Sequence, residues 1–253
     1  MSTWIFLRGL SRESRHWGDF IENFRHRIPE ADIITLDLPG NGCLSHLPSL
    51  TRVEAMAAWC RAELTARAVR PPYYLLGMSL GAMVAIAWAS GSADEIGGCI
   101  LINTSLRPFN PFYQRLRPRN YASLLKLALF GGSDETREKT ILRLTSNRSG
   151  DNARLLARWA DWRREQTVSR FNALRQLLAA ARYRAPAKQL KPPLLILASV
   201  EDKLVNPICS WQLAVRWDAS YAEHLRAGHD IPLDDGAWVA HQVEIWLRDK
   251  QAV

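Results

Sequence analysis

The stretch Tyr73-Tyr74-Leu75-Leu76-Gly77-Met78-Ser79-Leu80-Gly81-Ala82 decides the reading of this chain. Four apolar or aromatic residues run into a Gly-x-Ser-x-Gly turn, and small apolar residues follow to Ala89. That order predicts a buried strand, a sharp turn and a closely packed helix. A serine at the apex of such a turn projects its hydroxyl above the sheet edge. Glycines on both flanks let strand and helix approach where a Cβ would clash. The N–H of Leu80, at the helix start, is placed to donate to an oxyanion. Ser79 is therefore the candidate nucleophile; the bland alternative is a tight turn with an ordinary serine.

Working outward, strands and helices alternate. Strands are expected at Trp4–Leu7, Ala31–Leu36, Tyr73–Leu76 and Ile96–Ile102, and helices at His16–Arg27, Val53–Ala68 and Leu80–Ala89. Such a pattern predicts a mostly parallel sheet flanked by helices. From Asn103 to about Leu190 no buried strand is expected, and helical spacing dominates, as in Ala153–Arg163 and Phe171–Tyr183. After Pro192-Pro193 the alternation returns, with strands at Leu194–Ala198 and Tyr221–Leu225 and helices at Pro207–Trp217 and Ala237–Leu247. The expected organisation is an α/β core over 1–103 and 191–253, interrupted by a helical, Arg-rich insertion over 104–190.

A serine nucleophile needs a base, and the base needs an orienting carboxylate. His241 falls within the last helix and His224 within a strand. His229 lies in the loop Ala227-Gly228-His229-Asp230 beyond a strand's carboxyl end, where an imidazole reaches the sheet edge. Asp202 follows the strand Leu194–Ala198 in the same way, with Glu201 as a neighbouring rival. Its task is to fix the imidazole tautomer and stabilise the imidazolium.

Composition sets limits. The 253 residues suit one large α/β domain. No apolar run approaches the ~18 residues that span a bilayer. The opening MSTWIFLRGLSRESR lacks a signal-peptide layout. Cys43, Cys60, Cys99 and Cys209 lie far apart and read as reduced thiols of a cytoplasmic protein, with no zinc-ligand spacing. No metal or organic cofactor is implied. The net charge is +8, and it is local: 18 basic and 6 acidic residues lie between Thr104 and Leu190. Such a segment attracts an anionic partner. No nucleic-acid-binding motif accompanies it, so nucleic acid is a poor fit.

The chain resembles the α/β-hydrolase fold superfamily over nearly its whole length. The matching pieces are Asp37-Leu38-Pro39-Gly40-Asn41-Gly42, the Gly77–Gly81 turn, Asp202 with Val205 three residues on, and Gly228-His229. The resemblance implies an α/β-hydrolase fold with a helical cap, a Ser79–Asp202–His229 triad and cleavage of a carboxylic ester. It also implies a second oxyanion donor, the N–H of Leu10. Members usually carry His-Gly before that residue; this chain has Arg8-Gly9, and Arg8 is expected either to meet a surface acid or to recognise a substrate carboxylate.

The cap is similar to that of the esterase family of biotin synthesis that hydrolyses the methyl ester of pimeloyl-acyl carrier protein. The similarity rests on Ala153-Arg154-Leu155-Leu156-Ala157-Arg158, preceded by Arg137, and on the elbow Leu76–Gly81. It implies that Arg137, Arg154 and Arg158 grip an acidic acyl carrier protein. Met78 and Leu10 stand where that family tends to have tryptophans. Trp159 and Trp162, at helical spacing, are expected to line the underside of the cap and an acyl channel. Three functions follow: a general small-ester hydrolase, a carrier-linked methyl ester esterase, and a non-catalytic binding protein on the same fold.

Overall fold

The computed structural model describes residues 2–130, 132–148 and 152–251. Six parallel strands form one sheet: β1 (Ser2–Leu7), β2 (Ala31–Leu36), β3 (Tyr73–Met78), β4 (Ile96–Ile102), β5 (Leu194–Ser199) and β6 (Ser220–His224), in the spatial order β2-β1-β3-β4-β5-β6. The expected α/β class and parallel sheet are observed. The central strands are apolar on both faces because helices cover both. On β1, Ile5 and Leu7 join the core under α2 (Val53–Ala66), α3 (Leu80–Gly91) and α9 (Ile208–Trp217), whereas Trp4 and Phe6 join the opposite core under α1 (Phe20–Arg27) and α10 (Ile231–Gln251).

The register sets the site. Leu7 pairs with Gly77, Gly77 with Leu101, Ile102 with Leu197, and Ser199 with His224. The strands therefore end together, and the loops after them meet at one edge.

The expected helix from His16 is shorter at its start. Gly18 takes a left-handed φ of 49°, which ends a 3-10 turn over Ser14–Trp17 and delays the helix to Phe20. The expected helix at Ala237 begins earlier, at Ile231, with a break at Asp235.

Between β4 and β5 lie α4 (Phe112–Arg115), α5 (Tyr121–Phe130), α6 (Asp134–Thr145), α7 (Ala153–Glu165) and α8 (Arg170–Arg182). This insertion sits on the carboxyl-edge loops. Asp230 N–H donates to Thr145 O at 2.7 Å, and a Cβ on Gly228 would lie 2.7 Å from the same oxygen. Asn172 Oδ1 accepts from Ser49 N–H at 2.9 Å. No helix among the described residues is long and apolar enough to cross a membrane.

Candidate active site

Ser79 stands at φ 54°, ψ −112°, between β3 and α3. That conformation is strained for a residue with a Cβ, at a cost of order 1–3 kcal/mol. Its surroundings hold it there. Ser79 N–H donates to Ile102 O at 2.9 Å, and Thr104 Oγ1 donates to Ser79 O at 3.2 Å. The flanking glycines are sterically required: a Cβ on Gly77 would sit 2.5 Å from Gly81 O, and one on Gly81 would sit 2.1 Å from Leu7 O.

Asp202 and His229 meet after β5 and β6. His229 Nδ1 and Asp202 Oδ2 are 2.7 Å apart, and each residue is only 2% exposed. The other carboxylate oxygen accepts the N–H groups of Leu204 and Val205 at 2.7 and 2.9 Å. The carboxylate is thus fully engaged and aimed at the ring. Its rival, Glu201, is exposed. With Nδ1 committed to Asp202, Nε2 is the ring atom left to serve a hydroxyl. Ser79 Oγ makes no hydrogen bond among the described residues.

The two expected oxyanion donors share a property. Neither the Leu10 nor the Leu80 N–H has a hydrogen-bond partner among the described residues. Leu80 N–H is free because it opens α3. Leu10 follows Gly9, whose Cβ, if it had one, would lie 3.4 Å from Ser79 Cβ and 3.9 Å from Ser79 Oγ. The Arg8–Arg12 loop therefore runs beside the hydroxyl.

Arg8 corrects the reading of the sequence. It reaches neither a surface acid nor open space, being 3% exposed. Its guanidinium is bidentate on the buried Asp230, at 3.2 and 2.5 Å, and lies 4.6 Å from the Trp17 ring centroid. Asp230 is the residue after His229, so this ion pair ties the Leu10 loop to the imidazole's loop. The sequence reading also missed Asn103. Its φ of 45° ends β4, its Oδ1 accepts from Ser199 N–H at 2.9 Å, and its Nδ2 donates to His229 O at 2.8 Å. Asn directly after the apolar run Ile96–Ile102 was the available signal, since Asn tolerates the left-handed turn that ends a strand.

The insertion residues fall into two groups. Arg154 and Arg158 are exposed on α7, with Arg158 5.9 Å from the Trp162 ring. Arg137 is half-buried and donates to Gly132 O at 3.3 Å. Trp159 and Trp162, expected to line the underside of the cap and an acyl channel, pack against polar side chains of residues 12–16. The buried Trp159 stacks under Arg12 at 4.4 Å and meets the edge of His16 at 5.2 Å; Trp162 meets Arg15 and His16. His16 is held well below the ordinary imidazole range, by burial first and then by Arg12 and Arg8. Two surface clefts of ≈ 460 and ≈ 560 Å³ lie on α6–α7 and between Ser45–Pro48 and α8, and Ser79 lines neither. No group of three His, Cys, Asp or Glu among the described residues is placed to hold a metal ion.

A parallel sheet, a strained serine turn at its carboxyl edge and a buried His–Asp pair beside it define the architecture of an α/β hydrolase. The chain belongs to the alpha/beta hydrolase family, whose model matches residues 4–242. It is 26% identical over 238 residues to the "Biotin biosynthesis bifunctional protein BioHC" of Cellvibrio japonicus, covering 88% of this chain and 43% of that protein. A segment of 85 residues is 34% identical to a Haemophilus influenzae protein described as a 2-succinyl-6-hydroxy-2,4-cyclohexadiene-1-carboxylate synthase, covering 34% of this chain and 32% of that one. The chain thus spans less than half the length of these curated relatives. Among solved structures, a thermophilic esterase from Thermogutta terrifontis shares the fold, with a TM-score of 0.73 and 20% identity over 98% of this chain and 90% of that one.

Proposed function

We propose that this chain is a serine hydrolase of carboxylic esters, with Ser79 as nucleophile, His229 as general base and Asp202 as its orienting carboxylate. The observation that carries the reading is the buried 2.7 Å contact between His229 Nδ1 and Asp202 Oδ2, at the sheet edge that also presents Ser79. In acylation, Ser79 Oγ bonds to the ester carbonyl carbon as His229 Nε2 takes the hydroxyl proton. The carbonyl oxygen becomes an oxyanion held by the N–H groups of Leu10 and Leu80. Collapse breaks the carbon–alkoxy bond, and His229 returns the proton to the leaving alcohol. Water, deprotonated by the same imidazole, then releases the carboxylic acid and restores Ser79.

The test is turnover of p-nitrophenyl butyrate by Ser79→Ala. Losing a nucleophile of this kind costs on the order of 10⁵–10⁶ in kcat. A cooperative thermal melt at the wild-type position shows that folding is intact. Activity within tenfold of wild type contradicts the assignment.

A second reading narrows the substrate: the methyl ester of an acyl chain carried on an acidic carrier protein. Two observations favour it. Arg154 and Arg158 stand exposed one turn apart on α7, and a relative aligned over most of this chain bears a biotin-biosynthesis name. Arginine suits pairing with carboxylates and phosphates. The joint substitution Arg154→Glu with Arg158→Glu is expected to lower the ratio of carrier-linked to small-ester turnover at least about tenfold, with the effect shrinking as salt rises. An unchanged ratio removes this reading and leaves the first.

A further inference from the structure

The loop that carries Leu10 is held by the insertion at the two residues that follow it. Ser11, at a left-handed φ of 56°, donates its N–H to Gln176 Oε1 of α8 at 2.8 Å. Gln176 is fully buried, and its Nε2 donates to Asn41 Oδ1 at 2.7 Å and Ser49 Oγ at 2.9 Å. Arg12 donates from Nη1 to Glu138 Oε2 of α6 at 2.6 Å, and Glu138 Oε1 accepts Arg163 Nε of α7 at 2.7 Å. Burial works to raise the Glu138 carboxyl, yet Arg12 and Arg163 together hold it below the ordinary carboxylate range. The carboxylate is therefore a charged link between the insertion and the loop.

That link reaches one peptide plane. Arg12 N–H donates to Gly9 O at 3.2 Å. In a trans peptide the carbonyl of Gly9 and the N–H of Leu10 are antiparallel members of the same rigid unit. Fixing Gly9 O through Arg12 therefore fixes where the Leu10 N–H points. Ser11, pinned by Gln176, closes the turn from the other side.

We propose that Glu138 and Gln176 are positioning residues, setting the direction of the Leu10 N–H through Arg12 and Ser11, so that oxyanion stabilisation depends on how the helical insertion is seated. The proposal rests on the reading of Leu10 as an oxyanion donor in a Ser79 hydrolase. It gives the insertion a part in the chemical step that is separate from holding substrate.

The experiment compares the full-length wild type with Gln176→Met and Glu138→Gln. Active sites are counted by titration with a fluorophosphonate. The readouts per active site are kcat and KM for p-nitrophenyl butyrate, and Ki for an aryl trifluoromethyl ketone, whose adduct with Ser79 carries an oxyanion. Each variant is expected to lose about tenfold or more in kcat, since small misplacements at a reacting centre have large effects. KM should stay within about twofold, and Ki should rise by the factor that kcat/KM falls. Unchanged kcat and Ki per active site, with only fewer active sites, would mean a purely structural role and would overturn the proposal. Gln176→Met, which removes a neutral amide that accepts from Ser11 N–H and donates to Asn41 and Ser49, decides the matter if Glu138→Gln fails to fold. A wild type that forms no fluorophosphonate adduct brings down the hydrolase reading and this proposal together, a result distinct from labelled wild type with indifferent variants.

Discussion

The carboxyl edge of the sheet and the helical insertion above it are held by different forces. At the edge, placement is local and steric. Gly77 and Gly81 permit a close approach, backbone bonds fix Ser79, and two N–H groups within three residues fix Asp202. The insertion is fastened by polar side chains over long sequence separations. Glu138 bridges Arg12 and Arg163, Gln176 meets Ser11, and Asp234 accepts from Ser146 Oγ and Asn147 N–H. The edge gains its rigidity from a packed core, whereas the insertion, although Leu106, Ala179 and Tyr183 join that core, is also tied down by polar side chains, among them the buried Glu138 and Gln176. Chemistry built on the edge therefore depends on the insertion through one backbone bond, from Asp230 N–H to Thr145 O, and through named side chains that can each be removed.

The largest effect that separates the two regions should come from Asp202→Asn. It keeps the shape of the edge but presents the wrong hydrogen-bonding partner to His229. The loss in kcat is expected to be about 10⁴-fold, with little change in thermal stability. A loss under tenfold would mean that the buried pair does not orient a base.

Next in size is a pair of stability measurements. Glu138→Ala leaves Arg12 and Arg163 buried without their shared carboxylate, at a cost of about 3–5 kcal/mol. Leu76→Ala in the core should cost about 2–5 kcal/mol by cavity formation. Comparable losses in denaturant unfolding show that one polar bridge matters to the insertion as much as a core leucine does to the sheet. A Glu138→Ala loss below about 1 kcal/mol would break the contrast.

The smallest effect is a pH dependence centred on His16. Its folded-state titration lies well below the ordinary imidazole value of about 6.5, because burial, Arg12 and Arg8 oppose the charge. The unfolded chain takes up the proton first. The stabilisation is therefore complete above about pH 6.5 and is lost as pH falls below it, with a slope of up to about 1.4 kcal/mol per pH unit. His16→Gln should flatten the fall in melting temperature between pH 7 and pH 5. An unaltered slope would assign the pH dependence to other groups.

How much of this was legible in the sequence follows the same division. Strand alternation, the Gly-x-Ser-x-Gly turn and the loops holding Asp202 and His229 are short-range signals, and the structure brings Asp202 and His229 together. The parallel sheet was readable because apolar strands alternate with helices. Arg8 was not readable. A basic residue after a strand has many available acids, and nothing in the spacing selects Asp230, which lies 222 residues away. Glu138, within an exposed-looking charged helix, resembles its neighbours Arg137 and Lys139 until the fold buries it. Trp159 and Trp162 gave a correct helical spacing, but a period identifies a shared face and not what that face meets. It meets Arg12, Arg15 and His16.

In the proposed reaction the reactivity of the Ser79 hydroxyl depends on an imidazole held by Asp202. Its most direct measurement is the rate of fluorophosphonate adduct formation, followed by intact mass and peptide mapping, for wild type and His229→Ala. One adduct is expected, on Ser79, forming at least about 10³-fold more slowly when the imidazole is removed. An adduct on another residue, or labelling of Ser79 at an equal rate without His229, would contradict it.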